Sequence, residues 1–350
     1  MFTTESMAVV SPPTLLCAMD KFRGTASAQQ LARAVARAAR ESSLAFDAPA
    51  MSDGGEGFVE AFDGTLTGVD VRGPWGELVS ARISRHRRGD RWIAAVQVAD
   101  VVGRPTTGAP DPDAALAANS AGVGQLIVAA SELEVDVVVV GCGDSVTSDG
   151  GLGCYEVLRD ALTRPVTLIA ATDVRARFAA ARDYAEQKGV SARDLVRVDE
   201  RLAQCRARYL SERGVDVHSL ERAGAAGGIA GALAALGAQL VSGFDEAAAA
   251  TNLATRVAHS SLVVTGEGRL DEGTLDGKVT WGVATLVDER APLLVVCGSV
   301  DDEATRQFAG RFPQARIVSL EERFGAAMAK WDVLACVESV VADFLALPYS

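Results

Sequence analysis

The stretch Ser261–Lys278, SLVVTGEGRLDEGTLDGK, decides the fold: an unbroken apolar run, Leu262 to Thr265, ends in a loop carrying Glu267, Arg269, Asp271 and Lys278 among four glycines. A strand buried on both faces reads as a continuous apolar run rather than an alternating one, which is the pattern of a parallel sheet. Parallel sheets bind ligands outside the carboxyl ends of their strands, where glycines let backbone N–H groups approach an anion. Two more acidic, glycine-rich loops stand elsewhere, Met51–Gly57 (MSDGGEG) and Ser148–Gly151 (SDGG), the latter after the apolar run Val137 to Val140.

Outward from this stretch, strand and helix alternate at both chain ends. Thr14 to Met19 is an apolar strand ending in Asp20-Lys21-Phe22-Arg23-Gly24, and Ser27 opens an alanine-rich amphipathic helix to about Arg40. Phe46 to Met51 reads as a second strand, followed by a helix from about Gly57 to Phe62. After Ser261 come a helix from Lys278 to about Arg290, a strand Leu293–Cys297, a helix Asp302–Phe308, a strand Ile317–Leu320 and a final helix. Five strands with crossover helices imply a parallel sheet. The middle of the chain differs: Glu77–His86 and Arg91–Val98 alternate in polarity across Arg88-Gly89-Asp90, an antiparallel hairpin with Arg85, Arg87 and Arg88 as a solvated tip. Asp173–Arg222 is charged and helical in pattern, and Gly224–Leu240 is almost all small or apolar, suited to a closely packed helix. The expected class is α/β: a Rossmann-like parallel-sheet domain built from residues 1–70 and 260–350, with a mixed α/β domain, 71–259, inserted, and ligands in the cleft between them.

Composition narrows the function. The formal charge of −12 disfavours nonspecific binding to nucleic acid or an anionic membrane. No apolar run approaches the ~20 residues of a membrane span, and Met1 to Pro13 lacks the basic start and apolar stretch of a leader, so a cytoplasmic enzyme is expected. The six cysteines include no C-x-x-C pair and read as small buried hydrophobes, and the three histidines stand alone, which leaves a histidine triad without support.

The loops suit phosphoryl transfer, which asks for positioning and charge stabilisation: a carboxylate-held Mg²⁺, cations on the phosphate oxygens, and an acceptor hydroxyl near a base. Asp20, Asp53, Asp149, Glu267 and Asp271 are loop carboxylates at or near strand ends, and Lys21, Arg23, Arg269 and Lys278 are cations in the same loops. Asp and Gly at strand ends are also common turn formers. Two nucleotide-binding fingerprints fail. Gly273–Val279 is one residue too short for a Walker A loop and lacks its hydroxyl, and Gly141–Val146 puts valine where the third glycine of a dinucleotide loop belongs.

Together the loops resemble the glycerate kinase family, which phosphorylates D-glycerate at its 2-hydroxyl with ATP. The family's D-S-F-K-G is similar to Asp20–Gly24, its A-D-G-G-E-G to Ser52–Gly57, its G-G-S-A-T-N-D-G-G to Gly143–Gly151, its G-A-G-A-A-G-G to Arg222–Gly228 and its G-E-G-R-x-D…G-K to Gly266–Lys278, in order and over nearly the whole chain. The resemblance implies a small hydroxy-acid substrate and Mg-ATP, while charge and composition lead us to expect no nucleic-acid or membrane partner. It implies catalytic roles for Asp20, Lys21, Arg23, Asp53, Arg269 and Asp271, with Asp53 and Asp271 at the metal and the base unassigned among the carboxylates. Gly54, Gly55, Asp149, Gly150, Gly227, Glu267 and Lys278 are expected at the nucleotide.

The chain departs from the pattern near the expected site. Lys21 replaces serine, Arg23 lysine, Asp144 glycine, Ser148 asparagine and Gln97 glutamate, and Arg175-Ala176-Arg177 stands for N-P-L, while Gln187-Lys188-Gly189 is kept. Arginine and lysine differ at an oxyanion, because the planar fork binds two oxygens and the ammonium one. Three readings follow: a glycerate kinase, a kinase for another hydroxy acid, or a silent homologue that senses nucleotide or acid. A dinucleotide oxidoreductase is a fourth, disfavoured by the broken fingerprint.

Overall fold

The computed structural model describes residues 13–104, 108–162 and 164–347. In chain order its strands are β1 (Thr14–Cys17), β2 (Ala45–Asp47), β3 (Thr65–Arg72), β4 (Leu78–Arg88), β5 (Arg91–Gln97), β6 (Val137–Cys142), β7 (Thr167–Thr172), β8 (Gln239–Ser242), β9 (Leu262–Leu270), β10 (Leu293–Val300) and β11 (Ala315–Ser319). They form two sheets. The first, in the order β11-β10-β9-β1-β2, is parallel throughout and comes from both chain ends. The second, β3-β4-β5-β6-β7-β8, is antiparallel over β3, β4 and β5 and parallel from β5 to β8.

Alternation along the strands explains the layers, since successive side chains point to opposite faces. In the first sheet Leu15, Cys17, Leu262, Val264, Leu294 and Val296 join Leu31, Ala34 and Val35 of the helix Ala28–Ala38 and Val337, Val340 and Val341 of the last helix. Ser27 starts the first of these helices with a capping box to Gln30. The opposite face, Leu16, Val263, Leu293 and Val295, shares one apolar core with Ile93, Ala95, Val137, Val139 and Ala171 of the second sheet. Phe58, Phe62, Phe244, Val279 and Phe308 belong to the same core. The two sheets therefore stand on a common interior. The far face of the second sheet, including Ala94, Val96, Val138 and Val140, packs on Val123, Leu126 and Ile127 of the helix Ala121–Ser131.

Several local expectations are corrected. The strand is Ala45–Asp47, so only Phe46 and Asp47 of the expected Phe46–Met51 pair, because Pro49 has no N–H to continue the ladder. The helix expected over Gly57–Phe62 is one 3₁₀ turn, Val59–Ala61. Gly224–Leu240 is not one helix: Ala226, Gly227 and Gly228 have φ of 52°, 69° and 97°, the helix runs only over Ile229–Ala235, and the segment ends in β8. Of the arginines expected at the hairpin tip, Arg85 lies over the Trp92 ring and donates to Leu133 O, and Arg88 pairs with Glu246, which leaves Arg87 as the exposed one of the three. We propose two domains divided by sheet membership, with the first junction at Asp63–Gly64 rather than residue 70, since β3 pairs with β4 along its whole length.

Candidate active site

The carboxyl ends of β1, β9 and β10 face the loops after β6 and β7 across a cleft of about 640 Å³. Among the expected residues Asp20, Lys21, Arg23, Asp53, Gly227, Glu267, Arg269, Asp271 and Lys278 line it. Asp53 and Asp271, 218 residues apart in the numbering, thus share one cavity.

Lys21 is the hub. Its Nζ lies 3.0 Å from Asp144 Oδ2 and 3.9 Å from both Asp20 Oδ1 and Asp53 Oδ1. Burial alone would lower its pKa, but the three carboxylates outweigh that and hold it above the ordinary lysine value. Burial, reinforced by Asp53 and Asp144 and opposed by Lys21, pushes the Asp20 carboxyl up to about 6. Asp144 resists its own burial because Lys21 and Arg23 favour its charged form, and its pKa is lowered.

Glu267 is buried in the wall formed by β9, and its Oε1 has no hydrogen-bond partner among the described residues. Burial pushes its carboxyl up to about 8 in spite of the Lys278 ammonium. Lys278 itself stays above its usual range, since Asp53, Glu267 and Asp271 outweigh its desolvation. Asp271 caps the short helix Glu272–Leu275, accepting from Gly273 N at 3.0 Å, and comes to 4.0 Å of Arg269.

Four expected residues lie outside the cleft wall. Asp149 Oδ2 accepts from Ser120 N at 2.9 Å, Ser120 Oγ at 2.7 Å and Gly153 N at 3.3 Å, and Oδ1 from Gly151 N at 3.0 Å, so its carboxylate is spent tying its own loop to Ser120. A Cβ on Gly54 would lie 2.7 Å from Ala171 O, one on Gly55 2.2 Å from Asp144 Oδ2, and one on Gly150 2.7 Å from Cys205 Sγ. These three glycines permit close packing behind the site rather than approach of a ligand. Of the departures from the family pattern, Gln97 is buried and away from the cleft: Oε1 accepts from Val59 N at 3.1 Å, and Nε2 donates to Asp100 Oδ1 at 2.6 Å. A glutamate there would set two carboxyl groups against each other. Ser148 is also buried, and its Oγ is unpartnered among the described residues.

Sequence reasoning missed residues from the second sheet. Asp173, one residue past β7, lines the cleft, and burial with the neighbouring Asp53 and Asp144 pushes it up to about 7. Lys188 lines it too, donating to Thr147 O at 2.8 Å, and burial lowers its ammonium to about 8 against the pull of Asp173 and Asp149. The kept Gln187-Lys188-Gly189 was the signal that could have found Lys188. Asp173 carried none beyond its place after an apolar run.

The cleft therefore offers oxyanion-binding cations from both sheets and several carboxyls, three of them titrating between about 6 and 8. Comparison with known proteins agrees with this chemistry. The model of the glycerate kinase family matches residues 15–163 and 158–341. The chain is similar to the glycerate 2-kinase of Escherichia coli, 31% identical over 330 residues that cover 83% of this chain and 86% of that one. It is similar to the glycerate kinase of Halalkalibacterium halodurans at 30% identity over 355 residues, with 88% and 93% covered. A crystal structure of a putative glycerate kinase 2 from Salmonella typhimurium superposes with a TM-score of 0.69 at 26% identity, covering 95% of this chain and 98% of that one. The chain belongs to the glycerate kinase family and is a kinase that transfers a phosphoryl group to a hydroxyl acceptor.

Proposed function

We propose that the chain transfers the γ-phosphoryl group of ATP to the 2-hydroxyl of D-glycerate in the cytoplasm, with Mg²⁺ accompanying the triphosphate. The observation that carries this reading is the convergence of Asp20, Lys21, Asp53, Arg269, Asp271 and Lys278, from three separated segments, on one cleft. The donor set fits the ion. Mg²⁺ at phosphoryl-transfer sites takes one or two carboxylates plus phosphate oxygens and waters, and Asp53 and Asp271 are hard oxygen donors on one cavity. No cage of three or more ligating side chains occurs among the described residues, and none is needed. Held there, the ion would neutralise charge on the transferring group.

Lys21, Arg23 and Arg269 bind the acid's carboxylate and the equatorial phosphoryl oxygens, and Lys278 with the backbone around Gly227 meets the nucleotide. Asp20, raised to about 6, takes the proton of the attacking hydroxyl close to neutral pH, where a general base works best. A kinase for another small hydroxy acid is the second reading, favoured by Lys21 and Asp144, whose side chains stand in the cleft wall in place of serine and glycine.

An ADP-release assay with Mg-ATP and a panel of hydroxy acids tests this, with ³¹P NMR separating 2- from 3-phosphoglycerate. Turnover of D-glycerate to the 2-phosphate is the expected result, and turnover of another acid alone moves the conclusion to the second reading. No turnover with any acid, with Mg-ATP still raising Tm, makes the chain a sensor instead.

A further inference from the structure

We propose that Asp144 is a positioning residue for acid recognition, holding Lys21 and Arg23 as one unit across the cleft. This rests on the hydroxy-acid kinase reading and names the group that sets where the acid's carboxylate is met.

Lys21 and Arg23 follow β1 in the first sheet, whereas Asp144 follows β6 in the second, so their contacts span the two walls. Asp144 Oδ2 takes Lys21 Nζ at 3.0 Å and the N–H of Glu56 at 3.0 Å. Its Oδ1 accepts from Arg23 and lies 3.7 Å from the Arg104 guanidinium. With both oxygens engaged by these donors the carboxylate is satisfied internally, and it acts on a ligand through the cations it orients.

Two features of the backbone show that this carboxylate is built in. Asp144 has φ of 57°, a conformation that costs a residue with a Cβ and that aspartate and asparagine tolerate better than most. Gly55 supplies the room, since a Cβ there would come within 2.2 Å of Asp144 Oδ2 and 3.2 Å of Lys21 Nζ. Of the two cations, Lys21 is nearly buried and Arg23 is 57% exposed at its side chain, so Asp144 is what keeps the longer arm over the cleft. Without it Arg23 would lose its partner and pay rotamer entropy to return.

Charge bookkeeping points the same way. Relative to the family pattern quoted above, position 21 gains a positive charge, position 144 gains a negative one, and position 23 keeps its sign. The changes touch one another and leave the net charge of the cleft unaltered. Independent decay of an abandoned site has no reason to produce matched partners 3.0 Å apart. The three positions read as one exchange that preserves recognition with a different set of groups.

The test is a set of variants, Asp144→Asn, Asp144→Gly and the joint Lys21→Ser/Arg23→Lys/Asp144→Gly, assayed with D-glycerate and Mg-ATP, alongside D-glycerate titrated calorimetrically into each. Asparagine keeps the left-handed backbone and the volume, so Asp144→Asn is expected to retain its Tm within a few degrees. It should raise KM for D-glycerate about tenfold while KM for ATP stays within about twofold. The joint variant should recover most of the affinity that Asp144→Gly loses, a coupling that a role in folding alone would not show. An unchanged KM for the acid in Asp144→Asn, an equal rise in both KM values, or a joint variant no better than Asp144→Gly would overturn the proposal while leaving the kinase reading intact. A native chain that neither binds nor phosphorylates D-glycerate or another hydroxy acid removes that reading instead, and this one with it.

Discussion

The tetrapeptide Ser-Asp-Gly-Gly occurs twice, at Ser52–Gly55 and Ser148–Gly151, and the two copies do opposite things. Asp53 puts one oxygen 3.3 Å from Gly55 N and 3.9 Å from Lys21 Nζ and lines the cleft. Asp149 is enclosed by four donors from its own loop and from the start of the helix Ala121–Ser131. The difference lies in the neighbours. Ser120 offers Asp149 a backbone and a hydroxyl donor, whereas what lies beside Asp53 is an ammonium that also answers to Asp20 and Asp144. A carboxylate whose lone pairs are filled by fixed donors of the protein is a structural part; one that faces a cleft beside a shared ammonium is placed to meet a ligand.

The sharpest way to break this comparison is to neutralise each aspartate. Asp53→Asn is expected to cut kcat by roughly 10²–10⁴-fold with Tm close to native, as measured by steady-state assay and thermal melt. Asp149→Ala is expected to act on stability, at about 3 kcal/mol, since it strands several buried donors at once, and denaturant melts will read it. If both substitutions damage turnover and stability alike, the division fails.

The third loop sharpens the contrast, because Glu267 is buried like Asp149 but its Oε1 has no hydrogen-bond partner among the described residues. Its carboxyl, ordinarily near 4.5, sits at about 8 in the folded protein, so the folded chain holds a proton that the unfolded chain has released. Stability conferred by the group accordingly falls as pH rises from about 4.5 to about 8 and is level above that. Glu267→Gln should therefore stabilise the ligand-free protein by about 2 kcal/mol at pH 8 and by little near pH 4.5, in melts at a series of pH values. The smallest effect is expected at Gln97→Glu, about 1 kcal/mol of destabilisation in denaturant melts at neutral pH, because the new carboxyl meets Asp100 at the 2.6 Å now bridged by an amide N–H.

How much of this was legible follows from where the information sits. The parallel sheet could be read because strands buried on both faces, such as Leu293–Cys297, are apolar throughout, and the hairpin because its strands alternate around Gly89. β3, β7 and β8 were missed: β3 is an edge strand with mostly exposed residues, β7 is a six-residue strand opened and closed by threonine, and β8 is short and only half-buried. In the site, the charged loops of the first sheet were visible as motifs. Asp144 was noticed only as a departure, and Asp173 not at all, since a carboxylate gains its role there from chain more than a hundred residues away. Asp149 misled because identical local sequence conceals different donors supplied by Ser120.

The apolar interior common to both sheets has a consequence for protein engineering. Residues 65–258 expressed alone would leave Ile93, Ala95, Val137, Val139 and Ala171 without Leu16, Phe58, Phe62, Val263, Leu293 and Val295, which share their core, and so would turn part of that interior to water. The inserted half is thus no cassette that can be lifted onto another scaffold, and chimaeras between relatives should splice within the loops above that interior, leaving the interior of one parent whole.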